Sequence, residues 1–247
     1  MPRQSPAGSS ISERPHRGAE IRRGLKDVLP VLIGVLPLGL ALGAQASHKG
    51  LGPGAVAVMT GLNFAGGSEF AAVGLWANPL PVALIVLMTA LVNSRHLLMG
   101  ATLAPLLAHL PRWKAFAALF WMCDESWAMA YADAQKRRAA GALRGFSLPY
   151  YAAVAIGVWI AWIGSCTAGA AIGPAIGDIR AFGVDMALPA VFLAIMKGLW
   201  TGARAARPWL VSLVVAALTY LLVPGAWYVA AGAVAGLIAA WFWAPRA

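Results

Sequence analysis

LPVALIVLMTALVNSRHLLMGATLAPLL, residues 80–107, decides how this chain is read. It exceeds the roughly 20 mostly apolar residues that a membrane-spanning helix needs. Yet Asn93-Ser94-Arg95-His96 stands near its middle. An ionisable side chain in the hydrocarbon core costs several kcal/mol, and by some estimates over ~10. Two other apolar runs carry clusters of the same kind, Gly66-Gly67-Ser68-Glu69 and Asp124-Glu125-Ser126. Intramembrane polar residues of this sort usually mark a substrate or ion pathway.

Working outward, apolar runs recur at 28–46, 54–76, 80–107, 113–132, 150–173, 186–202, 208–223 and 226–243. Hydrophobic residues make up 60% of the chain and charged ones 11%, against roughly 25% charged in a soluble domain. The expected fold class is an all-α polytopic membrane protein, a bundle of about seven to eight transmembrane helices. A β-barrel needs alternating apolar and polar residues, and that pattern is missing. Residues 1–26 are polar and rich in Arg, Ser and Pro, so a disordered basic cytoplasmic tail is expected there. Residues 27–247 then form a single permease domain. Arg22-Arg23 ahead of an apolar run that ends in Ala44-Gln45-Ala46 looks like an export signal. Further spans follow it, so a retained first helix is the expectation.

The formal charge of +10 reads as topology rather than nucleic-acid binding. With the N-terminus inside, 13 Lys and Arg fall on the inner side and four on the outer, while Arg95 and Lys197 lie within spans. The positive-inside rule then puts both termini in the cytoplasm if all eight runs cross. If 54–76 is re-entrant, the later loops change sides. Trp76, Trp113, Tyr150, Tyr151, Trp209, Trp227, Tyr228, Trp241 and Trp243 lie near span ends and read as interfacial anchors. Cys123 and Cys166 read as buried small hydrophobes. Gly39/Gly43, Gly169/Gly173 and Gly232/Gly236 have the spacing that lets helices approach closely.

The second and third spans look interrupted, at Gly61 to Ser68 and at Asn93-Ser94. A helix broken at mid-membrane exposes N–H groups on one half and C=O groups on the other, ends that bind anions and cations. Arg95 suits a carboxylate through its planar fork. Its other reading is an ion pair with Glu69, Asp124 or Glu125, and the two agree if the pair opens on binding. Asn93 and His96 share a helix face. Glu69 suits a proton or ammonium pathway, or a structural partner of Arg95. Asp124 and Glu125 project about 100° apart, so one faces the pathway and the other caps, pairs or meets water. Phe116, Phe120, Trp121 and Trp127 are candidates for an apolar pocket or for plain packing. Ile33-Gly34-Val35 is echoed by Ile156-Gly157-Val158, a faint sign of a parallel repeat. The histidines are scattered, without metal-binding or nucleotide-binding spacings. No metal, cofactor or nucleic acid is therefore expected.

At these residues the chain resembles the AzlC family, also called YgaZ, the large subunits of bacterial branched-chain amino acid exporters. The likeness runs through Leu36-Pro37-Leu38-Gly39, Phe64-Ala65-Gly66-Gly67-Ser68-Glu69-Phe70, Val92 to Gly100, Cys123-Asp124-Glu125-Ser126 and, more weakly, Gly183 to Pro189. It covers roughly residues 24–243. The resemblance implies an inner-membrane permease that exports leucine, isoleucine, valine and sometimes methionine by drawing on the proton motive force. It also implies a small hydrophobic partner of the AzlD or YgaH type. Many relatives carry Gln at Glu69 and Tyr at Met99. The expected function is proton antiport of neutral apolar amino acids, not catalysis. Substrate contacts are expected from Arg95, Asn93, Ser68, Gly66 and Gly67, and proton or ammonium steps from Glu69, Asp124, Glu125 and His96. The alternatives are transport of another small metabolite, or an intramembrane serine hydrolase that uses Ser68 and His96.

Overall fold

A computed structural model describes residues 16–142, 145–176, 193, 202–224 and 227–243. These residues form helices, and no strand occurs among them: α1 (Arg17–His48), α2 (Pro53–Asn63), α3 (Gly66–Leu75), α4 (Val82–Asn93), α5 (Arg95–Leu107), α6 (Arg112–Phe120), α7 (Asp124–Ala139), α8 (Leu148–Ile176), α9 (Arg207–Leu222) and α10 (Trp227–Trp243). Three helices among the described residues are long and apolar enough to cross a bilayer: Arg17–His48, Val82–Leu107 and Leu148–Ala175. Large apolar side chains such as Ile33, Leu97, Leu98 and Leu221 face outward. A surface of that kind suits lipid rather than water, and the chain is a membrane protein. The sixth expected span, with Lys197 and the outer acid Asp185, lies outside the described residues.

The centre of the bundle is the α1–α8 pair. Its closeness follows from glycine. A Cβ on Gly43 would lie 1.9 Å from the Cys166 carbonyl oxygen, and one on Gly169 would lie 2.2 Å from that of Leu40. Backbones meet there as small-residue spacing permits. Gly232 and Gly236 admit α9 near Ser212 in the same way. Both cysteines are buried and unpaired.

Each interrupted span breaks for a local reason. Between α2 and α3, Phe64 adopts the left-handed conformation, with φ 44° and ψ 47°. The Asn93-Ser94 interruption is milder. Ser94 stays in the helical region and its hydroxyl donates to the Leu91 carbonyl at 2.7 Å. A third break, absent from the sequence expectation, divides residues 113–132 into α6 and α7. Its cause is a cap. The Cys123 N–H donates to Ser126 Oγ at 2.9 Å, and the Ser126 N–H is met by the Cys123 side chain. Asp124 and Glu125 occupy the first turn of α7, where carboxylates are favoured.

Two further expectations need correction. Residues 17–26 are helical rather than part of a disordered tail. Asp133 accepts from Arg23 at 2.6 Å and from Arg137 at 2.7 Å. Glu20 accepts from Ser147 at 2.7 Å, from Arg23 at 3.0 Å and from Arg137. This network ties the start of α1 to α7 and to the approach to α8. Tyr150 and Tyr151 are buried rather than interfacial. Tyr151 donates its hydroxyl to the Ala118 carbonyl at 2.5 Å, and the Arg23 guanidinium lies 4.0 Å from the Tyr150 ring centre.

Candidate functional site

Three helices begin at one cavity. α3 starts at Gly66, α5 at Arg95 and α7 at Asp124, and all three residues line it. Its volume is about 80 Å³. The breaks before Gly66 and Asp124 turn helix N-termini toward this space, and the milder interruption at Ser94 places Arg95 beside them. Helix N-termini carry partial positive charge and free N–H groups. The N–H groups of Gly66 and Gly67 have no acceptor among the described residues.

Arg95 reaches across from α5 to Asp124 on α7, with nitrogen and oxygen 3.0 Å apart. Both side chains are about one-third exposed, so the pair faces the cavity rather than being sealed in protein. Arg95 Nε is buried without a hydrogen-bond partner. Glu125 and His96 line the same cavity, and His96 Nδ1 lies 3.2 Å from the Asn93 carbonyl. Asp124 and Glu125 share the cavity because they open a helix. Glu125 has no salt-bridge partner among the described residues.

The remaining candidates hold the α2–α3 break. Glu69 is 1% exposed. One of its oxygens accepts from the Ala65 N–H at 3.0 Å and from Asn63 at 3.4 Å; the other accepts from Trp162 Nε1 at 2.7 Å. Ser68 donates to the Ala65 carbonyl at 2.9 Å and accepts from Asn63 at 2.8 Å. Asn93 donates to Asn63 at 3.1 Å. Glu69, Ser68 and Asn93 are therefore behind the cavity wall, while Gly66, Gly67, Arg95, His96, Asp124 and Glu125 form it. Glu69 is not the partner of Arg95; Asp124 is. Ser68 and His96 share no hydrogen bond among the described residues.

The apolar wall is formed by Val35, Leu38, Phe64, Phe70, Val158 and Trp162, with Cys123. Val35 and Val158 come from the two echoed segments. The aromatic set on α6 and α7 lies elsewhere. Phe116 and Phe120 are exposed outward, and Trp127 donates to Thr102 at 2.8 Å. Sequence reasoning missed the parts played by Asn63 and Trp162. Asn63 carried a faint signal, as an amide inside an apolar run. Trp162 carried none, because a tryptophan in an apolar helix reads as packing.

Comparisons with known proteins agree with the motifs. The family model described as AzlC protein matches residues 30–176. The chain is 26% identical over 178 residues to the inner membrane protein YgaZ of Escherichia coli K12, covering 72% of this chain and 67% of that protein. It is also 26% identical over 200 residues to the branched-chain amino acid transport protein AzlC of Bacillus subtilis 168, covering 79% and 74%. No solved structure matches it.

Proposed function

This chain belongs to the AzlC family, and we propose that it is a secondary transporter that exports branched-chain and similar apolar amino acids from the cytoplasm in exchange for protons. The observation that carries the proposal is the Arg95–Asp124 pair, open to a cavity at which three helices begin. The relative from Bacillus subtilis is a branched-chain amino acid transport protein, which supports amino acids as the cargo.

An amino acid is a carboxylate and an ammonium on one carbon. In the empty site, Arg95 and Asp124 satisfy one another. On binding, the substrate carboxylate takes the Arg95 fork and the Gly66 and Gly67 N–H groups. Its ammonium takes Asp124, with Glu125 beside it. One internal pair is thereby replaced by two, which lowers the cost of parting the charges. The branched side chain packs on the apolar wall. A methylene there is worth only about 1–3 kcal/mol, so overlapping substrates follow. Protonation of Asp124 or Glu125 releases the ammonium and couples proton entry to export. A small AzlD-like subunit completes the working unit, with the N-terminus of this chain in the cytoplasm.

The test loads cells with leucine-containing dipeptides and follows amino acid efflux, with and without this chain and its expected small partner. Faster efflux of leucine, isoleucine or valine that collapses with an uncoupler supports the proposal. Unchanged efflux of every common amino acid, with the protein present in the membrane, overturns it.

A further inference from the structure

The hydrogen bond between Trp162 and Glu69 is one to which the transport cycle gives no task. Trp162 is carried by α8 and lines the cavity. Its ring is held at two points. Nε1 donates to Glu69 at 2.7 Å. The benzo edge next to that nitrogen lies against the bare first turn of α3, where a Cβ on Gly66 would stand 3.0 and 3.1 Å from Cζ2 and Cη2. The indole thus rests on the turn whose N–H groups are offered to a carboxylate.

Glu69 never reaches the cavity. Both its oxygens are taken by N–H donors from Ala65, Asn63 and Trp162, and it is 1% exposed. Its titratable neighbour on α8 is Cys166. A carboxylate in such a cage is a fixed acceptor. What it fixes is one break in the chain and one aromatic ring. A ring hydrogen-bonded at Nε1 and packed on the α3 backbone along that same edge is costly to swing aside for a larger guest. Buried side chains also yield little without a cost in packing.

We propose that Trp162 determines which amino acid side chain the cavity accepts, and that Glu69 is a positioning residue acting through it. This inference rests on the transport reading of the same cavity. A substrate whose carboxylate lies at Gly66 and Gly67 brings its side chain up against the indole. Aliphatic branches pack on that ring, and aromatic side chains are shut out by it. Glu69 accordingly serves neither the ammonium nor the proton.

The experiment compares valine, leucine and phenylalanine transport, as KM and kcat separately, in the full-length protein with its partner. The variants are Trp162→Phe, Gly66→Ala, Glu69→Gln and Glu69→Ala. Trp162→Phe removes part of the ring and its N–H. Preference should move toward the larger substrates by about 5- to 150-fold, mostly in KM, as expected for a change of about one methylene in an apolar pocket. Gly66→Ala presses on Cζ2 and Cη2, pushes the ring into the cavity and should move preference toward valine. Glu69→Gln keeps an acceptor oxygen and should keep the wild-type order and proton coupling. Glu69→Ala should shift the order as Trp162→Phe does, and the double variant should add nothing further. Should a Trp162 or Glu69 variant fail to fold, Gly66→Ala decides the matter alone.

An unchanged substrate order in wild-type-active variants overturns the inference. So does loss of proton coupling in Glu69→Gln with the order intact, because that is the behaviour of a proton carrier. A wild-type protein that moves none of the three substrates sinks the transport reading itself. Wild-type transport with an indifferent Trp162 sinks this inference alone.

Discussion

Gly43→Ala tests whether the α1–α8 contact sets the shape of the whole bundle. The added methyl would stand 1.9 Å from the Cys166 carbonyl oxygen and 2.6 Å from the Ala170 nitrogen. Both are backbone atoms, so no side chain can swing away. Carbon and oxygen need more than 3 Å, so the helices must part by about 1–1.5 Å locally. Alanine is worth up to about 1 kcal/mol over glycine in a helix, but overpacking costs about 1–3 kcal/mol, and a rigid backbone neighbour places it at the upper end. The net loss is about 1–2 kcal/mol, a fall of about 2–8 °C in apparent Tm for a chain of this size. Gly34→Ala, in the same helix, is the control. Nothing lies within 4 Å of its added methyl, so it should leave Tm unchanged or raise it by a few degrees, through propensity alone. Thermal unfolding in detergent, followed by tryptophan fluorescence, reads both. Equal Tm values for the two variants would refute the argument that glycine backbones set this interface. Val35 and Leu38 share α1 with Gly43 and line the cavity, so Gly43→Ala should also weaken transport.

Three other outcomes follow from the charges and caps. Arg95→Ala should raise KM for leucine about 10- to 150-fold, the worth of a charge-assisted hydrogen bond; the exchanged pair Arg95→Asp with Asp124→Arg should recover Tm but not transport. Burial would raise the Glu20 carboxyl, but hydrogen bonds from Ser147 and Arg23 and the charge of Arg137 outweigh it and hold it below its usual value. Asp133 is lowered too: burial is outweighed by hydrogen bonds from Arg23 and Arg137 and by their charges. A depressed folded pKa contributes stability that is complete above the unfolded value and lost as pH falls through the folded one. Glu20→Gln should therefore lower Tm at pH 7 and do so progressively less below about pH 4, as a pH series of melts would show. Ser126→Ala removes the acceptor for the Cys123 N–H; it should cost about 1 kcal/mol, and should weaken transport by loosening the turn that carries Asp124.

The site was legible where charge stood against an apolar background. Arg95-His96 and Asp124-Glu125 announced themselves because hydrocarbon penalises such residues, Gly66-Gly67 because paired glycines break a helix, and the cavity gathers them. The break after Phe64 was legible through its glycines. The break before Asp124 was not, because Trp121-Met122-Cys123 reads as more apolar helix. Ser126, placed to cap it, was the signal available. Long-range partners were beyond sequence reach. Nothing local says that Arg23 meets Asp133, 110 positions away, and that contact turns an expected tail into helix. Trp162 was silent for the opposite reason, since an aromatic residue in an apolar helix matches its surroundings.

The account stands on a cavity that recognises both charges of an amino acid at once. The most direct measurement is the affinity of the purified protein for leucine beside two truncated analogues: 4-methylpentanoate, which lacks the ammonium, and 3-methylbutylamine, which lacks the carboxylate. The account predicts that leucine binds at least about 10-fold tighter than either, and that Arg95→Ala removes its advantage over the amine. Equal affinity for all three would mean that the Arg95–Asp124 pair only fastens two helices together, and would contradict the account.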